Sequence, residues 1–118
     1  MKGKEELEKL GVDVDEGLDR VMGDESLYEM MLGMFLDALN ESPIGLDEFD
    51  NADLDPLIRK VHALKGTSGN LSLTPLFESY VEVLGLLRDN KPKEAKAAME
   101  KMIPIQDQIV ECIKQNQG

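Results

Sequence analysis

The chain has no tryptophan, and Phe and Tyr together supply only five of its 118 residues. Strands draw on aromatic and β-branched side chains, whereas Leu, Met, Glu, Lys and Ala favour helix, so this balance predicts an all-α protein. A single cysteine, Cys112, excludes an internal disulfide. No apolar run approaches the roughly 18 residues that span a bilayer, so membrane insertion is not expected. With no signal-peptide pattern at the start either, a cytoplasmic location is the expectation. Positive charge is scarce: 13 Lys and Arg stand against 24 Asp and Glu, a net charge of −11. Nucleic-acid binding needs basic side chains to neutralise phosphates, and an anionic membrane surface makes the same demand, so both are disfavoured. Histidine is also scarce: His62 stands alone, and one His with one distant Cys makes no recognisable transition-metal site.

What remains is helix. The length suits one domain, residues 1–118, with its core from about 12 to 114. Short helices are predicted over Glu5–Leu10 and Asp15–Met22, each followed by glycine. Asp24 is the N-cap of a longer helix with an apolar stripe of Leu27, Met30, Met31, Met34, Phe35, Ala38 and Leu39. That helix is expected to continue, kinked, through Pro43 to about Asp50. Methionines at this spacing are read as core rather than as a promiscuous binding groove. The next helix, from about Leu54 to Gly69, buries Leu54, Leu57, Ile58, Val61 and Leu64, and a polar loop follows. A helix opening at Thr74-Pro75 carries Leu76, Phe77, Tyr80, Val81, Leu84 and Leu87. The last opens at Pro92, turns Ala95, Ala98, Met99, Met102, Ile105, Ile109 and Ile113 inward, and is expected to kink at Pro104. Four long amphipathic helices with short connections imply an antiparallel up-down four-helix bundle with a short N-terminal helical cap.

Chemistry concentrates in one segment, Arg59-Lys60-Val61-His62-Ala63-Leu64-Lys65-Gly66-Thr67-Ser68-Gly69-Asn70. His62 lies at the shoulder of the apolar stripe, roughly 100° from its centre. Gly66 and Gly69 follow it by one and two turns and share its strip with Arg59 and Asp55. A glycine inside a helix costs about 1 kcal/mol relative to Ala, and two of them beside the only histidine leave a groove with nothing covering the imidazole. Lys65, one turn after His62, is placed to neutralise an anion on the ring. The segment Asp53 to Asn70 carries Arg59, Lys60 and Lys65 against Asp53 and Asp55, a local basic patch in an acidic protein. Each feature also has a structural explanation: a packed histidine, a lysine with its stem over the core, a glycine at a helix end. Those explanations treat the residues one at a time and leave their coincidence unexplained.

The run His62-Ala63-Leu64-Lys65-Gly66-Thr67-Ser68-Gly69-Asn70 resembles the motif of the histidine-containing phosphotransfer domains of two-component phosphorelays. The resemblance in helix order extends from about Val12 to Lys114, and includes Asp24-Glu25-Ser26-Leu27-Tyr28 ahead of Phe35-Leu36. It implies that His62 accepts a phosphoryl group through Nε2, that Lys65 stabilises it, and that Gly66, with Gly69 and Arg59, forms the docking surface. The implied partners are response-regulator receiver domains and a sensor histidine kinase. The implied carrier is a monomer that acts as a phosphotransfer intermediate rather than an independent catalyst. It needs no cofactor of its own, since the receiver brings Mg²⁺ and the reactive aspartate. One position departs from the family: 22 residues after the histidine, where a Gln or Glu often orients the imidazole, stands Leu84. The alternatives are a phosphorylation-dead helical adaptor that binds a receiver or kinase, or a domain of this kind cut from a larger hybrid kinase.

Overall fold

A computed structural model describes residues 1–117. Six α-helices account for most of them: α1 (Lys4–Lys9), α2 (Val14–Arg20), α3 (Glu25–Glu41), α4 (Asp55–Asn70), α5 (Thr74–Arg88) and α6 (Pro92–Gln115). A 3-10 helix, Leu46–Asp50, lies between α3 and α4, and there is no strand among the described residues. The molecule is elongated, 43 × 24 × 23 Å.

Local chemistry explains the helix boundaries. Asp13 and Asp24 cap α2 and α3, accepting hydrogen bonds from the amides of Glu16 (3.1 Å) and Leu27 (3.0 Å). Pro56, Pro75 and Pro92 sit in the first turns of α4, α5 and α6, where an amide has no partner to lose. Gly11 (φ +95°) and Gly23 (φ +78°) adopt the left-handed backbone just beyond α1 and α2. The helix expected to run through Pro43 instead stops at Glu41, because the residue before a proline is driven out of the helical region: Ser42 has φ −135°, ψ 65°. Residues 46–50 form the separate 3-10 helix. By contrast, α6 runs continuously through Pro104.

One apolar core unites the helices, and it reaches beyond the expected start at Val12 to Leu7. Helix α5 packs against both α4 and α6, while the 3-10 helix packs on α6 and plants Phe49 in the core. The buried face of α3 is Tyr28, Leu32, Phe35 and Leu36; of the predicted stripe, Phe35 is buried and Met31 and Leu39 pack partly buried against the core, while the centre of the face has turned toward Tyr28 and Leu32. Met30 and Met34 are 57 % and 59 % exposed, which removes them from the core. The cause is Tyr28, which is fully buried and donates its hydroxyl to the Leu71 carbonyl at 2.7 Å. Burial raises this hydroxyl's pKa to about 12. Leu54 and Ile58 are only partly covered, and Val81 and Ile105 face solvent. Val83 and Cys112 take places in the core that the sequence pattern did not assign.

The connection between α4 and α5 is not the polar loop expected. Leu71, Ser72 and Leu73 are all buried. Ser72, at φ +55°, presents its hydroxyl to the Glu16 carboxylate at 2.7 Å and accepts from the Arg20 guanidinium. Arg20 also donates to the carbonyls of Gly69 (2.8 Å) and Asn70 (3.3 Å), satisfying acceptors at the end of α4. Helices α2 and α3 are thereby tied to the same three-residue turn.

Two substitutions separate these assignments. Met30→Gln should change stability by less than about 0.5 kcal/mol, as for an exposed site. Tyr28→Phe should cost about 1–3 kcal/mol, because it strands the buried Leu71 carbonyl. Urea denaturation of both variants at neutral pH checks the pair.

Candidate functional site

The sequence places His62, Lys65, Gly66, Gly69 and Arg59 on one strip of α4, and that helix forms over Asp55–Asn70. Its buried residues are Leu57, Val61, Leu64 and Ser68. His62, Arg59 and Gly66 are therefore turned to solvent, while Lys65 and Gly69 are half-buried. The side-chain bonds of α4 come from Lys60, Thr67 and Ser68, and none among the described residues engages His62, Arg59 or Lys65. The imidazole is thus exposed with both nitrogens unbonded, and Lys65, three residues further along the helix, is unpaired. Leu84 is 2 % exposed in the core and Glu82 faces solvent, so neither supplies the acceptor for Nδ1 that the family often has.

The two glycines of the motif differ. A Cβ on Gly66 would meet no atom within 4 Å. On Gly69 it would lie 2.9 Å from the Phe77 ring of α5, so the absence of a side chain there serves close packing of α4 on α5. Gly69 is also not a helix end, since the helix continues to Asn70. Lys60 leaves the basic patch for a structural task. Its ammonium binds the Glu48 carboxylate at 2.8 Å and the Pro43 carbonyl at 3.0 Å, pinning the loop after α3. Glu48 also accepts from the Gly45 amide at 2.7 Å. The Lys60 hydrogen bond, aided by that amide, holds the Glu48 carboxyl below its usual range.

Beside Gly66 opens a cleft of about 580 Å³ that motif reasoning did not reveal. Lys65, Gly66 and Gly69 form its α4 wall, Phe77 and Glu78 its α5 wall, and Arg20 and Glu16 of α2 close its end. Nothing in the sequence near Arg20 signals this. Its partners lie about fifty positions away, on the α4–α5 turn. The Glu16 carboxyl is held down first by the Ser72 hydroxyl and then by Arg20, so this wall presents a paired charge. Among the described residues, no group of three or more His, Cys, Asp and Glu side chains is placed to hold a metal ion. No helix among them is long and apolar enough to cross a membrane.

Comparison with known protein families, curated proteins and solved structures finds no match to this chain.

Three outcomes follow. Gly66→Ala should stabilise the protein by about 0.5–1 kcal/mol, because the added methyl meets nothing and the helix gains. Gly69→Ala should lower the melting temperature, because the Phe77 ring must shift. Thermal denaturation of the two single variants reads the opposite signs. Glu48→Gln should lower stability at neutral pH. Because the folded-state pKa of Glu48 is depressed, its contribution is present above the ordinary glutamate range and is lost as pH falls through the folded value. The gap between Glu48→Gln and the parent should therefore close in acid, as pH-dependent urea titrations would show.

Proposed function

We propose that this protein is a phosphorelay carrier, taking a phosphoryl group on His62 from a receiver-domain aspartate or a sensor kinase and passing it to another receiver aspartate. The observation that carries this is the state of His62: an exposed, unbonded imidazole one turn from the unpaired ammonium of Lys65 and beside the uncovered Gly66. In this proposal the four longer helices act as an antiparallel up-down bundle, with α1 and α2 as its cap. Such a scaffold holds the strip on a rigid element rather than on a loop.

The chemistry asks little of the carrier. The Nε2 lone pair attacks phosphorus, the bond from phosphorus to the donor carboxylate oxygen breaks, and the carboxylate leaves with the electron pair. The ring keeps its Nδ1 proton or gives it to solvent. Transfer of this kind depends on positioning and charge neutralisation more than on covalent help from the protein. Lys65 supplies the positive charge on the carrier's side. The Mg²⁺ that neutralises the rest belongs to the receiver, so the carrier is an intermediate in transfer. The cytoplasm, where receivers and kinase catalytic domains work, is its proposed compartment, and it works as a monomer there.

Because Leu84 is buried and apolar, this chain does not fix the imidazole tautomer from α5 as family members often do. The docked partner is left to orient the ring.

Labelling with a phosphorylated receiver tests the proposal. Wild-type protein should gain an acid-labile, alkali-stable phosphate, and His62→Gln should keep its helicity and gain none. Lys65→Ala should slow transfer by an amount equivalent to at most about 1.5–3 kcal/mol, the range for charge-assisted hydrogen bonds, without loss of fold. Full labelling of His62→Gln would refute the role of His62. Unchanged rates in Lys65→Ala would remove Lys65 from the mechanism.

A further inference from the structure

Five glycines lie within the α-helices, and two of them have a packing reason. A Cβ at Gly17 would strike the Tyr28 ring at 2.5 Å and at Gly69 the Phe77 ring at 2.9 Å, whereas at Gly33 it would meet only the movable end of the Gln117 side chain. Two have no neighbour at all: a Cβ on Gly66 or on Gly85 would meet nothing within 4 Å. Each of these carries the helix cost of glycine with no offsetting contact. Gly66 borders His62. Gly85 lies on α5, the helix that packs against α4.

Register places the two on the same groove. Helices α4 and α5 are joined by only three residues, and Gly69 meets Phe77 near that turn. Moving one turn away along both helices pairs Lys65 and Gly66 with Val81, and a second turn pairs His62 with Leu84 and Gly85. On the helical wheel, Gly66 and Gly85 stand at matching angles from the buried centres of their helices, on the outer rims of the groove. Val81, which the apolar pattern had assigned to the core, is 46 % exposed on this face. Next along α5 comes Arg88, exposed and, like Arg59 and Lys65, without an ion pair among the described residues.

Charge says what this groove receives. Within α4 and α5 there are four basic and three acidic side chains, while the rest of the chain has nine basic and twenty-one acidic. With Lys60 held by Glu48, the unpaired cations Arg59, Lys65 and Arg88 stand against Asp55, Glu78 and Glu82, and this near-neutral two-helix face is where a protein of net charge −11 repels an acidic partner least.

We infer that the docking surface for the partner spans both helices of the α4–α5 groove. Gly85 is the counterpart of Gly66 in admitting an acidic protein surface over His62, and Arg88 adds a third unpaired cation to a rim that also carries Glu78 and Glu82. This rests on the phosphotransfer function proposed above and adds α5 to it.

The test compares wild type with Gly85→Ala and Gly85→Gln, and with Ala97→Gln on the exposed face of α6 as a control for added bulk. Labelling of His62 is measured from a phosphorylated receiver and from phosphoramidate, a donor that needs no docking surface. Both Gly85 variants should melt at or above the wild-type temperature. Gly85→Gln should lose about tenfold in receiver-dependent transfer, equivalent to about 1.4 kcal/mol, and keep its phosphoramidate labelling. Ala97→Gln should match wild type with both donors. Receiver-dependent transfer by Gly85→Gln equal to that of wild type would overturn the inference while leaving phosphotransfer intact. So would a loss equally large with phosphoramidate. A wild type that takes no label from any receiver would overturn phosphotransfer itself and the docking surface with it.

Discussion

The buried turn Leu71–Leu73 is the joint on which the site depends. Two helices distant from it in sequence close on it. Tyr28 of α3 donates to the Leu71 carbonyl, Glu16 and Arg20 of α2 hold the Ser72 hydroxyl, and the Asp13 amide donates to the Ser72 carbonyl at 3.0 Å. A turn with its polar groups satisfied in this way can be buried, and a buried turn fixes how α5 leaves α4. The Gly69–Phe77 contact then sets their separation. The groove beside His62 is a consequence of that joint, although none of the residues that make it takes part in the proposed chemistry.

The local signals in the chain were readable because their physics is local. The capping aspartate at 24, prolines in first turns and glycines after short helices placed most boundaries within one or two residues. The failures occur where a distant partner decides. Tyr28 enters the core because the Leu71 carbonyl is there to accept its hydroxyl, and this rotates the whole buried face of α3 away from Met30 and Met34. Leu71 and Leu73 are buried in what reads as a polar loop because Arg20 and Glu16 come to Ser72. Pro43 by itself reads as a bend in a continuous helix, but the stronger constraint acts on Ser42 before it and ends the helix.

The candidate site divides in the same way. His62 and Lys65 were legible as a pair because helix periodicity puts residues three apart on one face, and both prove accessible. Gly66 and Gly69 carry the same sequence signal and have different surroundings, which only the position of Phe77 distinguishes. Lys60 looks equivalent to Arg59 and Lys65 until Glu48 is found against it. The cleft walled by Arg20 had no sequence signature at all. A short motif thus marks the candidate strip, and tertiary packing decides which of its members are exposed and unpaired.

The central claim is that the bare surface beside His62 is kept for a partner and not for the fold. Gly66 tests it most directly, through transfer from a phosphorylated receiver measured alongside melting temperature for Gly, Ala, Gln and Arg at position 66. The account predicts that transfer per folded molecule falls steadily with side-chain size while the melting temperature does not fall below that of wild type. Transfer that stays constant across the series would contradict it.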